Sequence, residues 1–321
     1  MDTGTSVPSA AALMGAAQEH PLDVLSFALA QGQSGTPCAL VMIIGTEGGA
    51  VRREGAIMVV TETGARCGYL SGGCIDADIA LHAQHAIATN TPKQLRYGKG
   101  SPFVDIRLPC GGGIDLAIIP QPDIPSMSAA ATRLMARQAV TLDLASLLSS
   151  APNSIPADFS AQYHPKLKLR IAGIGADPVA LIKLASSTGL EAALWSQDED
   201  CRANAANVSG TIPIPLTVPD TLPEANDDTH TAFILMAHDP DWETPLLKQA
   251  LAGPAFYIGA VGSPNTHKKR CETLKSQGVS EHDIARIHGP VGLVPSMRDA
   301  SMLAVSCMAE IIACFHKGPA A

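Results

Sequence analysis

Apolar positions in the first third of the chain fall into short runs separated by glycine. Residues 38–44 and 56–60 are two such runs, divided by the glycine-rich stretch 45–55, and the pattern predicts strand, loop, strand. Residues 66–70 begin the next unit. After the turn Ser71-Gly72-Gly73-Cys74, apolar residues recur at helical spacing over 75–88, so Cys74 falls where a helix begins. Residues 103–108 alternate and 114–119 are apolar throughout. The cluster Pro109-Cys110-Gly111-Gly112-Gly113 between them predicts a sharp turn from strand to strand, with Cys110 in the turn.

The pattern changes after Pro120. Residues 120–168 are rich in Ala, Ser and Pro, with 151–156 the most linker-like piece, and this puts a domain boundary near 160. The domains are then 1–160 and 161–321. From Leu167 onward strand and helix patterns alternate: strands at 167–173, 191–196, 231–237 and 255–261, and a helix at 178–188. That order predicts a parallel sheet with helices on both faces. Residues 298–315 predict a last, apolar helix with Glu310 inside it. The fold class is therefore α/β, an N-terminal α+β domain with Gly/Cys-rich turns followed by a Rossmann-like doubly wound domain.

Composition narrows the function. The 321 residues are 46% apolar and 16% charged, enough to bury two cores. A net charge of −8 excludes a general affinity for nucleic acid. The start of the chain carries no basic segment followed by an apolar run, and no window reaches the roughly 18 apolar residues that cross a bilayer. The expectation is a cytoplasmic protein with neither nucleic acid nor membrane as partner. The 8 cysteines are irregularly spaced with no C-x-x-C pair, which favours free thiols.

Several turns carry candidate chemistry. Gly173-Ile174-Gly175 joins a strand to a helix, where backbone N–H groups can hold phosphate oxygens. The third glycine position of a dinucleotide fingerprint is Pro178, however, and the next strand ends at Ser196 with Asp198 two residues on, so the fingerprint is incomplete. A phosphate site and a turn that merely packs the helix both remain open. Gly259-Ala260-Val261-Gly262-Ser263-Pro264 is a second such turn, with Ser263 suited to cap the helix and Pro264 to its first position. His238-Asp239 ends a third strand, either beside a ligand or as a solvated loop in which Asp239 caps a helix. Arg52 and Arg53 present forks that match phosphate oxygens, or are plain surface arginines. Cys74 and Cys110 sit in glycine-flanked turns, where a thiol gains thiolate character and a bulky ligand can approach. The other cysteines, Cys38, Cys67, Cys201, Cys271, Cys307 and Cys314, are expected to be small apolar residues of the interior.

In this order, the Ser-Gly-Gly-Cys turn, the Pro109-Cys110-Gly111-Gly112 turn, Gly173-Ile174-Gly175, Met236-Ala237-His238-Asp239, Gly259-Ala260-Val261-Gly262-Ser263, the stretch 286–293 and Ala309-Glu310 resemble the XdhC family of molybdoenzyme accessory proteins. The resemblance implies a protein that holds the molybdenum cofactor (molybdopterin), protects it while its terminal sulfido ligand is installed, and inserts it into an apo xanthine dehydrogenase or aldehyde oxidoreductase. It implies no turnover catalysis and no catalytic or resident metal-binding residues. Residues 100–110 look closest to members serving aldehyde oxidoreductases, whose cofactor is the cytidine dinucleotide form. The implied site places Cys74 and Cys110 near the molybdenum or its dithiolene. Arg52, Arg53, Gly72, Gly73, Gly111, Gly112, Gly173, Gly175, His238, Asp239, Gly259, Gly262 and Ser263 surround the rest of the cofactor. The implied partners are the large chain of the apo-enzyme, a cysteine desulfurase, a molybdopterin cytidylyltransferase and a second copy of this chain. Gly49, Val51 and Asp76 depart from the residues usual in the family, as does the stretch 294–299. The rival readings are an NAD-dependent oxidoreductase and a thiol redox or metal-binding protein.

Overall fold

A computed structural model describes residues 19–50, 52–102, 111–148, 155–156, 158–237, 239–295 and 297–317. Cys110, His238 and the strand expected over 103–108 lie outside the described residues. The chain divides into two compact units, Met1–Pro165 and Lys166–Ala321.

The first unit is built on an antiparallel sheet in the order β3-β2-β1-β5-β4. Its strands are β1 (Cys38–Glu47), β2 (Ile57–Thr61), β3 (Arg66–Cys67), β4 (Lys93–Gly98) and β5 (Gly113–Pro120). β1 pairs with both β2 and β5, and its first six residues are all buried. That explains why 38–44 reads as an unbroken apolar run rather than an alternation: both faces of the sheet are covered. Leu40, Met42 and Ile119 pack in one layer with α1 (Pro21–Gln33) and α3 (Ile124–Met135). Val41, Ile43 and Ile118 pack in the other with α2 (Asp76–Thr89). β3 ends at Cys67 because Gly68 turns the chain at φ 93°, with the Ile57 carbonyl 2.4 Å from where a Cβ would stand.

The Ala/Ser/Pro-rich stretch after Pro120 is not a linker over its described part. α3 is followed by β6 (Val140–Asp143), α4 (Leu144–Leu147) and β7 (Ser160–Tyr163), with β6 and β7 paired. Met127, Ala130, Ala131 and Leu134 of α3 recur on one face and are buried with Leu142, Leu144 and Tyr163. Small side chains here let a helix approach the sheet closely, so low hydrophobicity does not mean absence of structure.

The second unit is a six-stranded, all-parallel sheet in the order β10-β9-β8-β11-β12-β13. These are β8 (Lys168–Gly173), β9 (Glu191–Ser196), β10 (Ile214–Pro215), β11 (Thr231–Met236), β12 (Tyr257–Ala260) and β13 (Ile287–His288). α5 (Ala176–Ser187) and α10 (Ala300–Lys317) cover one face, while α7 (Pro240–Ala252) and α8 (Pro264–Ser276) cover the other. α6 (Glu199–Ser209) flanks α5, and α9 (Glu281–Ile284) is a single turn before β13. The chain winds outward from β8 in one direction and from β11 in the other. The carboxyl ends of β8 and β11 therefore form the switch point, where open α/β sheets receive ligands.

Candidate functional site

Residues 71–74 form a turn wrapped around a buried carboxylate. Asp76, 1% exposed at the first position of α2, accepts hydrogen bonds from the Leu70 amide (3.0 Å), the Ser71 amide (3.2 Å) and the Gly73 amide (2.7 Å). Ser71 Oγ accepts from the Ile75 amide at 3.0 Å. Gly72 and Gly73 have φ of 71° and 106°, the left-handed region that only glycine enters without strain. Nothing lies within 4 Å of a Cβ position on Gly73. The outcome is a loop tied at three amides to one carboxylate, with Cys74 left exposed. Sequence reasoning found the cysteine but treated Asp76 only as a departure from the family's residue. An acid three positions after Gly73 at a helix start was the available signal.

The other two glycine segments of this unit touch. Gly49 and Gly111 form an isolated β-bridge. A Cβ on Gly112 would stand 2.5 Å from the Gly49 carbonyl and 2.6 Å from the Glu47 carbonyl, so only glycine fits there. Leu70 and Ile75, which bracket the cysteine turn, lie in the same apolar cluster as Ile114, with Ala50 packed against it. All three segments are thus anchored on one layer of the sheet, and Gly111 has open space over its Cβ position.

The two arginines differ from each other. Arg52 Nη2 makes a 2.5 Å ion pair with Glu19, so its fork is partly engaged, whereas Arg53 is exposed. In the same unit Arg96 bridges Asp115 (2.6 Å) and Glu47 (2.5 Å). A hydrogen bond from Lys99, and its charge, hold the Glu47 carboxyl below the usual range.

In the second unit, a Cβ on Gly173 would stand 2.3 Å from the Met236 carbonyl, which explains that glycine by the contact between β8 and β11 alone. Gly175, at φ 80°, precedes α5 with nothing over its Cβ position. Asp198 caps α6 by accepting from the Cys201 amide at 2.9 Å, so it is not a free acid at the strand tip. Asp239 caps α7 in the same way, accepting from Asp241. Ser263 caps α8, accepting from the Thr266 amide at 3.1 Å, with Gly262 at φ 140° before it. Beneath this turn Arg270, 3% exposed, donates to the Val261 carbonyl and twice to Glu243. Glu310 accepts from the Gly292 amide and lies 3.3 Å from His288 Nδ1.

Cys38, Cys67, Cys201 and Cys307 are buried, while Cys271 and Cys314 are half-buried. Burial pushes the Cys38 thiol up to about 11 and the Cys307 thiol up to about 12, so both stay protonated at neutral pH. Among the cysteines described, only Cys74 offers an exposed sulfur.

A glycine- and cysteine-turned α+β unit joined to a parallel Rossmann-type unit is the class that this fold and site define. Residues 32–98 match the family model described as the XdhC and CoxI family, and residues 169–311 match that of the XdhC Rossmann domain. The chain is 34% identical over 296 residues to the molybdenum cofactor insertion chaperone PaoD of Escherichia coli (strain K12), covering 90% of this chain and 86% of that protein. It belongs to the XdhC and CoxI family. It is also 24% identical over 318 residues to a probable xanthine dehydrogenase subunit of Bacillus subtilis (strain 168), covering 85% of this chain and 92% of that one. The fold is shared with the crystal structure of a xanthine dehydrogenase from Bacillus halodurans, with a TM-score of 0.75 at 22% identity, covering 93% of this chain and 96% of that one.

Proposed function

We propose that this chain is a molybdenum cofactor insertion chaperone, which holds the cofactor, shields it during sulfuration and passes it to an apo-enzyme of the xanthine dehydrogenase or aldehyde oxidoreductase type without turning over a substrate. The likeness to PaoD along most of both chains supports the reading. The observation that carries it is the turn at 71–74: Asp76 binds three of its main-chain amides, Cys74 stands exposed, and glycine backbone flanks it. These groups fit the cofactor's chemistry. A thiol is a soft donor suited to molybdenum and its sulfur ligands, and main chain without side chains lets a broad pterin lie close. A carrier must also release its cargo, which favours one accessible donor over a closed cage.

In this reading Cys74, together with Cys110, faces the metal end of the cofactor, and Arg53 with the glycine main chain at Gly72, Gly111 and Gly112 faces its phosphate, the Gly73 amide being held by Asp76. Arg52 supports the loop through Glu19. When bound, the cofactor supplies the oxo-transfer metal of the recipient enzyme, and this chain's own residues only hold and orient it. Taken by itself, the second unit offers main-chain N–H groups at the strand-to-helix turns of Gly175 and of Gly262-Ser263, where a phosphate could bind. The upstream partners are then a cysteine desulfurase and a molybdopterin cytidylyltransferase, and the setting is the cytoplasm. An NAD-dependent reading has less support, because Asp198 is engaged as a helix cap.

Cys74→Ser tests the proposal. Cys74 is exposed, so melting temperature should change little, while cofactor recovered with the purified protein and activation of a recipient apo-enzyme should both fall severalfold. Undiminished retention and delivery in a folded Cys74→Ser protein would refute it.

A further inference from the structure

At one end of the first sheet, charged residues and glycines share one face. Arg96 of β4 stands opposite Asp115 of β5, and Asp115 stands opposite Gly45 of β1. Two residues along each strand, and so on the same face, the next row is Gly98, Gly113 and Glu47. The Arg96 side chain lies across both rows. Its Nη1 donates to Asp115 at 2.6 Å, its Nη2 passes over Gly113 to donate to Glu47 at 2.5 Å, and its Nε donates to the Lys99 carbonyl at 2.8 Å. Absent side chains make that course possible. A Cβ on Gly113 would stand 3.0 Å from Arg96 Nη2, one on Gly100 3.2 Å from Nε, and one on Gly45 3.1 Å from the Asp115 carboxylate. Glycines from three separate segments therefore leave room for one paired guanidinium.

We propose that Arg96 is the positioning residue of the cofactor site, setting the separation of the glycine segments 48–50 and 111–113 from the reverse face of the sheet. The inference rests on the cofactor reading. Both segments are tied to the guanidinium close to where they meet. Glu47 lies two residues before Gly49, Asp115 lies three after Gly112, and the Lys99 amide donates to the Gly112 carbonyl at 3.0 Å. Between these anchors and the Gly49–Gly111 bridge the chain is mostly glycine, which loses more backbone freedom on ordering than any other residue and brings no side chain to fix its own place. Ile114, between Gly113 and Asp115, points the opposite way, into the layer that holds Leu70 and Ile75 beside the cysteine turn. Arg96 thus stands behind the glycine turn and acts through its main chain. A lysine would keep the charge, but a compact ammonium cannot reproduce a planar fork held by three acceptors.

Arg96→Met keeps a long side chain on β4 and leaves the buried Leu95 and Tyr97 untouched, so circular dichroism and melting temperature should show a folded protein. Hydrogen exchange followed by mass spectrometry should then run roughly tenfold faster across 111–116, and at the parent's rate across 70–75. Molybdenum cofactor retained by the purified protein, measured well below the melting temperature, should fall severalfold, which a role confined to stability would not produce. Arg96→Lys should resemble Arg96→Met in both measurements. Lys99→Gln removes the exposed partner of Glu47 and leaves all three guanidinium bonds, so it should exchange across 111–116 as the parent does. Asp115→Asn weakens a single bond and should show the Arg96→Met pattern at smaller amplitude, which keeps the test open should Arg96→Met fail to fold. Parent-like exchange in the Arg96 and Asp115 variants, loosened segments with undiminished retention, or equal loosening in Lys99→Gln would each overturn the proposal. A parent chain that retains no cofactor would instead remove the cofactor reading, and the role of Arg96 in it, whatever the exchange rates show.

Discussion

A carboxylate that accepts three main-chain N–H groups, as Asp76 does, leaves those donors bare when it is removed. Bonds to a charged acceptor are stronger than neutral ones, and stranded buried donors cost more than the bonds themselves contribute. Asp76→Ala should therefore destabilise the first unit by roughly 2–3 kcal/mol in denaturant unfolding and should lower cofactor retention as Cys74→Ser does. Asp76→Asn, which keeps an acceptor oxygen of the same size, should recover part of both. Equal stability of all three proteins would show that the turn does not depend on the carboxylate. At this scale the local motif was legible: Ser71, Gly72, Gly73 and Cys74 are neighbours in sequence and together suffice to place an exposed thiol at a helix start. The direction of the Asp76 carboxylate and the pairing of Arg52 with Glu19, 33 positions earlier, depend on how the chain closes back on itself.

At the scale of elements, β8 shows how a strand read as plain core can carry a charge. Arg170 is 1% exposed in mid-strand, makes a bidentate bond to Asp227 (2.9 and 2.6 Å), and lies over the Trp195 and Phe233 rings at 4.8 and 4.2 Å. Its partner is 57 residues away in the loop before β11, so no sequence window contains both. Breaking a buried pair strands a charge in the interior. Asp227→Ala should cost about 3–5 kcal/mol in chemical denaturation of the second unit. Arg170→Met/Asp227→Leu, which removes both charges and keeps volume, should cost far less than the single change. A single variant no worse than the double would mean that the pair is already solvated. Element boundaries follow similar logic. α5 starts at Ala176, two residues before its expected start, because Gly175 rather than Pro178 ends the turn.

Across the whole molecule, each unit holds a histidine that resists protonation. Burial first, and then the Lys93 charge, lower the His82 value in the first unit. Burial first, and then the Arg270 charge, lower the His267 value in the second. A base whose folded value lies below its unfolded one binds protons more tightly when unfolded. The native state is thus favoured in full above the ordinary value of 6.5 and loses stability as pH falls below it, toward the folded values. Calorimetry should show both units melting lower at pH 5.5 than at pH 7.5, with His267→Gln removing much of the slope for the second unit. A melting temperature that rises on acidification, or an unchanged slope in His267→Gln, would contradict the assignment. Glu310 acts at lower pH. Burial alone would raise it, but the His288 and Gly292 bonds bring it below the usual carboxylate value, so its contribution is lost as pH drops through that lowered value.

Short-range pattern alone determined the alternation of strand and helix in the second unit, the glycine turns, the apolar last helix and the exposed cysteine, because each depends on residues within one turn or one strand of each other. The family was legible for the same reason, from turns recurring in order. Only the tertiary structure decided that the segment after Pro120 belongs to the first core, that Gly112 meets Gly49 backbone to backbone, and that one side of α10 stays uncovered. Those facts rest on contacts between residues tens of positions apart, where burial and distance are set by the closed chain and by no local preference.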